Sequence, residues 1–504
     1  MFLQLLILAL SVLVYFLWKT FKHWEYEGIA YDNPSIPFGC LKPLVKKERS
    51  FGMAIYDVYN KSKEPFLGIY LMLRPAILLR DATLCRDVLT KDFQNFHDRG
   101  VYVDEKNDPF SGNLFSSEGQ SWKSLRTKLT PSFTSGKLKA MYPTIMETAN
   151  KLKNSLIEQI PQGKSEVIDI KSLMDSYAID IIASVIFGIE IDSFKNPKNE
   201  FKIAAYHSTN PDFLSNFRSA VLFLYPQMET LFRFFRIPNK TAEFMKKVVK
   251  DTVEFREKNN FVRKDLMQML IQLRNSGQIN SDDNNWKFQT VAENLKSMSM
   301  EKLSGQGFLF FVAGFETTSA TASYCLYELT QNPELKDEVV KEIHEVLNKY
   351  NGELTYEGIQ EMKLLDRCIM ETNRKYPGLL ILNRICTENY KVPGNDYTIK
   401  KGTPIIISLI GLHRDPEYFP NPMKFDPSRY EQNNYNSTAY MPFGEGPRNC
   451  IAFRMGKVSA KTALVTVLSN FNVELIEKKE LEVDIHGVSI MPKGGVNIKF
   501  SRKR

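Results

Sequence analysis

An apolar run at the N-terminus divides the chain into a membrane segment and a remainder. Residues 1–18, MFLQLLILALSVLVYFLW, are apolar except for Gln4 and Ser11. At 1.5 Å per residue a helix over this run is roughly 27 Å long, about the thickness of a thin bilayer core. Nothing basic precedes the run and no small-residue cleavage pattern follows it, which favours an uncleaved anchor over a cleaved signal peptide. We therefore predict a transmembrane signal anchor over residues 1–18.

The residues after this run predict where the remainder lies. Lys19, Lys22 and His23 follow immediately, and basic residues next to a span stay on the cytoplasmic side. Segment 19–39 is predicted to be a linker that ends in a hinge, because Asn33–Gly39 contains two prolines. Residues 40–504 would then form one body. Removal of residues 1–24 is expected to weaken membrane attachment without damaging that body.

Composition and motifs exclude several classes of protein. With 34 Phe, 22 Tyr and 43% hydrophobic residues the chain is neither disordered nor repetitive. The net charge of +8 is too small for a dedicated nucleic-acid binder. The six cysteines form no C-x-x-C pair and are interpreted as single buried thiols in a reducing compartment, unless one has a special task. No G-x-G-x-x-G occurs, so the chain shows no flavin or nucleotide fingerprint and is not predicted to carry a redox nucleotide cofactor.

Helical periodicity outweighs strand patterns, and the predicted fold class is mainly α with small β-sheets (α+β). The helical patterns cover residues 121–129, 141–159, 172–187, 241–258, 302–331, 333–349, 360–376 and 455–468. The β-type runs cover residues 66–73, 76–80 and 496–500. Segment 412–430 contains four prolines and is predicted to be a long irregular coil.

The strongest chemical signal is a glycine-rich loop that ends in a cysteine. Residues 443–452 are FGEGPRNCIA, and a helical pattern follows. A cysteine at a helix N-terminus lies near the positive end of the helix dipole, which favours a thiolate. Considered alone, this observation is weak, and an inert thiol that precedes a helix is the simpler interpretation of Cys450.

Two pairs of side chains share helix faces. Glu371 and Arg374 are three residues apart, and Trp122 and Arg126 are four apart. The simple interpretations are a surface ion pair and a capped surface helix.

A third motif interrupts an apolar helix. AGFETT, residues 313–318, contains polar groups that are costly to bury without partners. Gly314 and Thr317 also weaken helix propensity, so a local distortion is predicted, with a merely structural kink as the alternative.

These motifs resemble those of the cytochrome P450 family. Phe443, Gly446, Arg448 and Cys450 match its haem-binding signature F-x-x-G-x-R-x-C-x-G, with Ala452 in place of the usual last glycine. The resemblance implies that the Cys450 thiolate is the axial ligand of haem iron. The segments FVAGFETTS and PFGEGPRNCI most resemble the corresponding sequences of microsomal members of the insect family-6 type.

The resemblance also implies roles for the other motif residues. Glu371 and Arg374 would form the buried E-x-x-R pair, joined by Arg429 from the sequence Pro427-Ser428-Arg429-Tyr430. Thr317 would hold dioxygen by a hydrogen bond, while Glu316 with ordered water would supply protons. The haem propionates would be bound by one tryptophan and three arginines, namely Trp122, Arg126, Arg384 and Arg448. His97 is a further candidate, with a satisfied core histidine as its alternative.

The substrate cavity is predicted to lie beside the AGFETT helix. Phe310, Phe311 and Ala313 on that helix are expected to border it. By analogy with the family's substrate-contact segments, further wall candidates are Phe115, Leu380, Leu382 and Ile490. For these four, plain core positions are the alternative.

The implied function is that of a haem-thiolate monooxygenase acting on a lipophilic small molecule. The cofactor would be haem b, and NADPH would act through a membrane-bound NADPH-cytochrome P450 reductase, with cytochrome b5 as an additional donor. The implied location is the endoplasmic reticulum membrane with the catalytic domain on the cytoplasmic side, and the implied role is metabolism of xenobiotics or hormones. An isomerase or dehydratase of the same family is one alternative, against which Thr317 argues, and a non-catalytic haem protein or binder is another.

Overall fold

The computed structural model describes residues 1–209, 218, 221–229, 239–280, 282–476 and 495–503. Helices dominate this part of the chain and small sheets accompany them, so the predicted fold class is confirmed. The helices are α1 Phe2–Phe21, α2 His23–Glu27, α3 Lys42–Val45, α4 Phe51–Lys61, α5 Ala82–Leu89, α6 Gly119–Leu129, α7 Ser135–Gln159, α8 Ile170–Ile181, α9 Glu200–Thr209, α10 Lys240–Asn259, α11 Leu266–Ser276, α12 Met300–Gln331, α13 Pro333–Lys349, α14 Tyr356–Glu361, α15 Lys363–Lys375, α16 Leu409–Arg414 and α17 Phe453–Asn470. The strands are β1 Phe66–Leu71, β2 Arg74–Leu79, β3 Ser165–Asp169, β4 Ile381–Ile385, β5 Tyr390–Lys391, β6 Thr398–Ile399, β7 Pro404–Ser408, β8 Phe471–Leu475 and β9 Asn497–Arg502.

Helix α12 crosses the middle of the body and is buried over most of its length. The Ser299 hydroxyl caps its first turn by accepting a hydrogen bond from the Lys302 amide (3.2 Å). The helix ends at Gln331, and Pro333 begins α13 two residues later. A helix that is apolar around most of its circumference is stable only when neighbours cover it, and α8, α10 and α17 pack against α12.

The largest sheet has the strand order β1-β2-β7-β4. Strand β7 lies between β2, which is parallel to it, and β4, which is antiparallel. All five β7 residues are buried, as expected for a central strand whose sequence is mostly isoleucine. In this register Arg384 of β4 lies opposite Ile405, which fixes the arginine within the sheet.

The structure corrects two predicted boundaries. The segment 412–430 is not coil throughout, because its first residues end helix α16 and Pro427–Tyr430 forms a 3-10 turn. The helix predicted over residues 360–376 begins only at Lys363, and the preceding residues belong to the separate helix α14.

The junction between α1 and the body also differs from the prediction. Helix α1 is long and apolar enough to cross a membrane, as predicted, and most of its side chains are exposed. Phe21 and Trp24, however, are buried in the core that surrounds the largest sheet. The predicted linker over residues 19–39 is therefore part of the body from Phe21 onward, and a truncation that removes Trp24 removes a core residue.

Candidate active site

The loop before Cys450 is held in a tight conformation. The Cys450 amide donates to the Phe443 carbonyl (2.8 Å), and the two aromatic rings of Phe443 and Phe453 lie 5.9 Å apart. Gly446 has φ 69°, and a Cβ at this position would lie 1.9 Å from the carbonyl oxygen of Leu89 at the end of α5. This glycine is therefore required both by its backbone conformation and by the close approach of α5.

Ala452, which departs from the usual glycine of the signature, fits this loop without strain. It immediately precedes α17 and has φ −100° and ψ 16°. Residues with a Cβ adopt a negative φ readily. The alanine therefore imposes no backbone penalty on the loop.

Cys450 differs from the other five cysteines, which are buried, because its thiol is accessible. Although the residue is exposed, desolvation by the protein groups around it raises the pKa of the thiol, while the Ala452 amide and the guanidinium groups of Arg126 and Arg99 partly oppose that rise. The position before a helix therefore does not by itself make Cys450 a thiolate. A bound metal ion would favour the deprotonated sulfur.

Arginine side chains from distant parts of the chain meet around this loop. Arg448 donates to the Ser117 carbonyl (2.6 Å), approaches Asp98 (3.4 Å) and lies over the ring of Trp122 (4.3 Å). Arg126 of α6 donates to the backbone and side-chain oxygens of Asn449, at 2.7 and 2.8 Å. The structure thus brings Trp122, Arg126 and Arg448 next to the cysteine.

Arg99 is a member of this group that the sequence motifs did not identify. Its guanidinium donates to the carbonyls of Phe115 (3.1 Å) and Arg448 (3.3 Å) and lies 3.9 Å from the centre of the Phe115 ring. Burial lowers the pKa of Arg99, and the neighbouring cations Arg384 and Arg448 lower it further. We call Arg99, Arg126, Arg384 and Arg448 the arginine cluster.

The arginine cluster carries more positive charge than the nearby acids balance. Burial and the proximity of Arg448 lower the pKa of Arg384 to about 9, and burial lowers that of Arg448 to about 10 although Asp98 opposes the shift. The Nε atoms of both residues are buried and have no hydrogen-bond partner among the described residues. Buried N–H groups of a cation that lack a hydrogen-bond partner are costly, so the cluster fits a ligand with carboxylate groups.

His97 lies at the edge of this group. Its Nδ1 atom is 2.7 Å from Asp98 and its side chain is about one-third exposed. The Asp98 carboxylate also accepts from the Gly119 amide (2.8 Å) at the start of α6. His97 is therefore close to the arginine cluster through Asp98 and is not a fully buried core histidine.

Glu371 is the centre of a buried ion-pair network. Arg374 donates to both of its carboxylate oxygens at 2.8 Å, and Arg429 donates to one of them at 3.1 Å. The Tyr430 hydroxyl (3.0 Å) and the Asp426 amide (3.0 Å) donate to the same carboxylate. All four lone-pair directions of the carboxylate can be used in this way, which offsets the cost of burying the charge.

The two arginines of this network also hold the irregular chain before the cysteine loop. Arg374 donates to the carbonyls of His413 (2.8 Å) and Pro422 (2.7 Å), and Arg429 donates to that of Pro420 (3.2 Å). The His413 carbonyl lies in the last turn of α16, and the Pro420 and Pro422 carbonyls lie in the following segment, which has no regular ladder of backbone hydrogen bonds. The side chains thus replace secondary structure in fixing the path of this segment.

The AGFETT segment lies within α12, which continues through it as an α-helix. The prediction of a local distortion in this helix is therefore wrong. The Thr317 hydroxyl donates to the Ala313 carbonyl (2.8 Å), so it is satisfied within the helix. Close packing explains why residue 314 is a glycine, because a Cβ there would lie 2.5 Å from the Ile182 side chain. Ile182 begins the π-helical turn Ile182–Phe187, which continues α8.

A loop that the motifs did not reveal approaches Thr317. Gly378 follows α15, and a Cβ at this position would lie 3.3 Å from the Thr317 methyl group. Thr317 and the adjacent Glu316 are both partly exposed. The threonine is thus confined between its own helix and this loop while its hydroxyl remains accessible.

The substrate candidates separate into accessible and buried positions. Ala313 is exposed and Phe115 is half-buried beneath Arg99. Phe311 is 0% exposed and packs against Phe201 and Phe315, so the prediction that it borders a cavity is wrong.

The remaining candidates are mostly core positions. Phe310 is 5% exposed and contacts the ring of Phe133. Leu380 is buried in a small hydrophobic cluster with Ala320, so it is a core residue, which was the alternative to a place in the cavity wall. Leu382 is buried in the sheet, at the side that faces Gly444 of the cysteine loop. Ile490 lies outside the described residues.

Comparison with known proteins gives matches over nearly the whole chain. The cytochrome P450 family model matches residues 33–500. The chain is 51% identical over 503 residues to a protein of Drosophila melanogaster named probable cytochrome P450 6d5, covering 99% of both chains. It is 48% identical over 515 residues to cytochrome P450 6d3 of Musca domestica, covering 100% of this chain and 99% of the relative. It is 39% identical over 479 residues to cytochrome P450 6k1 of Blattella germanica, covering 93% and 91%.

Proposed function

The chain belongs to the cytochrome P450 family and is a P450 monooxygenase, and on that premise we propose that it inserts one oxygen atom of dioxygen into a lipophilic small molecule with electrons from NADPH. The resemblance seen in the motifs, including that to insect family-6 proteins, is confirmed. The observation that carries the proposal is the accessible Cys450 thiol beside the buried arginine cluster.

The residues present fit haem, the cofactor of this family. Cys450 would bind the iron through its sulfur, and the arginine cluster would bind the two propionates, whose carboxylates match its unbalanced positive charge. The haem, when bound, supplies the chemistry by which dioxygen is reduced and its O–O bond is broken. Trp122 and Phe443 would contribute to the same pocket, because Trp122 supports Arg448 and Phe443 closes the cysteine loop.

Thr317 and Glu316 would manage the protons of this reaction. The Thr317 hydroxyl is accessible, and its donation to Ala313 leaves its oxygen able to accept a hydrogen bond. Glu316 precedes it on α12, is also partly exposed, and would supply the acid. A hydroxyl and a carboxyl held in this way can position water and pass a proton to the reacting oxygen.

Substitution of Thr317 by alanine is expected to uncouple NADPH consumption from product formation. Without the hydroxyl, proton delivery becomes less well directed, so hydrogen peroxide should rise and product should fall by about tenfold or more. Haem content should not change, because Thr317 contacts neither Cys450 nor the arginine cluster. The measurement is the ratio of product and of peroxide to NADPH consumed.

Thr318→Ala is the matched control, because Thr318 is the next hydroxyl on α12 but is buried. It is expected to retain the coupling ratio of the wild-type protein. If Thr317→Ala retains that ratio and the double alanine variant does too, the proposed role of these hydroxyls is refuted.

The accessible surface of α12 supports a lipophilic substrate. Ala313 is exposed on this helix, and the half-buried Phe115 faces the arginine cluster nearby. Such apolar groups bind apolar ligands by removing their surface from water. We assign the protein to the metabolism of xenobiotics, such as insecticides and plant toxins, or of hormones.

The function is tested with purified protein, a P450 reductase and a panel of lipophilic compounds. A monooxygenase consumes oxygen only when NADPH and the reductase are both present, and forms a matching amount of product. An isomerase or dehydratase would form product without oxygen uptake. A binder would form none.

The proposed location is the endoplasmic reticulum membrane, with α1 as the span and the body on the cytoplasmic side. The electron donor would be membrane-bound NADPH-cytochrome P450 reductase, with cytochrome b5 as a further donor. The outer surface of α6 suits this partner, because its Arg126 contacts Asn449 beside the cysteine while Lys123 and Lys128 are exposed. Lys461 does not suit it, since it is buried and paired with Asp366 (2.9 Å).

Reversing the charge of Lys123 and Lys128 together is expected to slow reductase-supported turnover by about three- to tenfold, because the acidic groups that we propose on the partner's docking surface would then be repelled. Turnover supported by hydrogen peroxide, which needs no reductase, should remain unchanged. The effect should also weaken as salt is added.

Lys401→Glu is the control for this prediction, because Lys401 is an exposed lysine in the turn between β6 and β7. It should leave both activities unaffected. Equal losses of reductase-supported and peroxide-supported turnover in the α6 variant would show damage to the enzyme itself and would exclude the docking role.

A further inference from the structure

Two tyrosine rings are stacked where helix α12 meets the end of α15. Tyr324 lies on α12, and Tyr376 directly follows the last residue of α15. Their ring centres are 4.1 Å apart and their planes differ by only 3°. Tyr324 is buried and Tyr376 is half-buried, so the pair extends from the core to the accessible surface.

A buried carboxylate contacts this pair. The Tyr376 hydroxyl donates to Oε1 of Glu328 (2.5 Å), and the Lys375 ammonium group pairs with the same oxygen (2.7 Å). Glu328 lies one turn after Tyr324 on α12 and is buried. Burial raises the pKa of both tyrosines, so their phenols remain protonated. Glu328 is thus in place to accept the proton of Tyr376.

The pair lies close to Thr317, the residue proposed to act on oxygen. Tyr324 follows Thr317 by seven residues on α12, so both side chains leave the same helix face, about 10 Å apart along the axis. Ala320 lies between them and packs in one small cluster with Tyr324. From the other tyrosine, the chain reaches Gly378 two residues later, where a Cβ would lie 3.3 Å from the Thr317 methyl group. Packed protein atoms therefore connect Thr317 with both rings.

Two cations beside Tyr376 determine how this residue can be oxidised. The Lys375 ammonium group lies 5.5 Å from the centre of its ring, and the Arg414 guanidinium lies 5.8 Å from it. Both would repel a positive charge left on the ring, so loss of an electron is favoured only when the phenolic proton leaves as well. Once Glu328 has taken that proton, the positive charge gained resides on Lys375, which is partly exposed to water.

We propose that Tyr324 and Tyr376 form an oxidisable pair that returns electrons to the haem when hydrogen peroxide has oxidised it in the absence of substrate. Peroxide takes two electrons and is reduced to water, and the pair returns one of them. The O–H bond of Tyr376 breaks, its proton passes to Glu328, and a neutral tyrosyl radical remains.

The half-buried position of Tyr376 allows the radical to be reduced from solution. A one-electron reductant such as ascorbate supplies the missing electron, and Glu328 returns the proton to the phenol. A second passage through the same steps returns the second electron to the haem. The pair would thereby protect the haem from peroxide. This inference rests on the proposed function, because turnover without product formation is the source of the peroxide.

The test mixes the full, haem-loaded ferric protein with hydrogen peroxide, without substrate, NADPH or reductase. Samples frozen within milliseconds are examined by electron paramagnetic resonance. A radical signal should form, and it should become narrower in protein that contains ring-deuterated tyrosine, which identifies the radical as tyrosyl. Absence of a tyrosyl signal from the wild-type protein would overturn the proposal.

Three substitutions assign the signal, with haem content and the carbonyl spectrum as the check that each variant is folded. Tyr376→Phe keeps the stacked ring but has no phenolic proton to transfer, so it should lose the signal and its haem absorption should decay severalfold faster in peroxide. Tyr324→Phe should lower the yield of the radical, because a phenylalanine ring is harder to oxidise. Glu328→Gln should also lower the yield although both tyrosines remain, since the amide is a poor proton acceptor.

Tyr390→Phe is the matched control. The Tyr390 hydroxyl also donates to a carboxylate, that of Asp92 (2.7 Å), and its ring contacts Phe96, but it lies in the core around the largest sheet. This variant should keep the radical signal and the wild-type rate of haem loss.

The remaining outcomes separate the parts of the proposal. A tyrosyl signal that persists in Tyr376→Phe, or one that is lost in Tyr390→Phe, would overturn the assignment to the stacked pair. An unchanged yield in Glu328→Gln would refute the carboxylate as the proton acceptor. Product formation with NADPH and reductase is measured separately, so a protein that forms product but no tyrosyl radical would overturn this inference and leave the proposed function intact.

Discussion

Replacing Cys450 by serine should abolish both monooxygenase turnover and the red-shifted absorption band of the ferrous carbonyl complex. That band depends on electron donation from a thiolate, which a serine hydroxyl cannot provide. Cys450 is also the one accessible cysteine of the six, so no other thiol can take its place. The measurements are product formation with NADPH and reductase, haem content, and the carbonyl difference spectrum.

Cys386→Ser is the matched control. The Cys386 thiol points to the Glu388 carbonyl (2.8 Å), and a serine hydroxyl can keep that hydrogen bond. This variant is therefore expected to show the normal band and normal turnover. A red-shifted band that persists in Cys450→Ser would exclude Cys450 as the iron ligand.

The sequence was informative where a function requires particular residues at a fixed spacing. Cys450 and its glycines, and the Glu371 and Arg374 pair, stand in motifs whose spacing can be recognised without a structure. The long helices were predictable for a similar reason, because 3.6-residue periodicity persists over many turns. Short helices such as α5, with 8 residues, and α16, with 6, give too little periodic signal.

The neighbours of each side chain were less predictable. Phe310 and Phe311 were expected to border a cavity, but α12 is buried over most of its circumference, so no polar face in the sequence shows which of its side chains remain accessible. Arg99 belongs to no recognised motif, and its place in the arginine cluster depends on contacts with residues near positions 115 and 448. Contacts of such long sequence separation are set by the tertiary fold.

Trp24 shows the same limit for a domain boundary. The prolines at positions 34 and 37 indicated a hinge, but the start of the body is set by Gly68, whose missing side chain admits the indole. Nothing near Trp24 in the sequence reveals that glycine. The boundary follows from packing between two segments that lie more than forty residues apart.

The irregular segment before the cysteine loop depends on Glu371 more than on any local signal. Its carboxylate is fully buried and accepts hydrogen bonds from Arg374 and Arg429, which in turn hold the carbonyls of His413, Pro422 and Pro420. The segment leads directly to the loop that carries Cys450. The path of the backbone at the iron site therefore depends on one carboxylate on α15.

Glu371→Gln should consequently destabilise the protein by about 3–5 kcal/mol, because it leaves two buried guanidinium groups without their counter-charge. Haem incorporation should be lost or greatly reduced, since the cysteine loop would no longer be fixed. Chemical unfolding followed by circular dichroism measures the first effect, and the ratio of haem to protein measures the second.

Glu361→Gln provides the comparison, because Glu361 pairs with Lys349 (2.7 Å) at an exposed position on α14. Exposed ion pairs contribute little to stability, so this variant should unfold like the wild-type protein and retain its haem. Glu371→Asp keeps the charge but shortens the side chain, and it should recover part of the stability while binding both arginines less well. If Glu371→Gln were as stable and as haem-rich as Glu361→Gln, the coil would be held by its backbone contacts alone and the buried carboxylate would have no organising role.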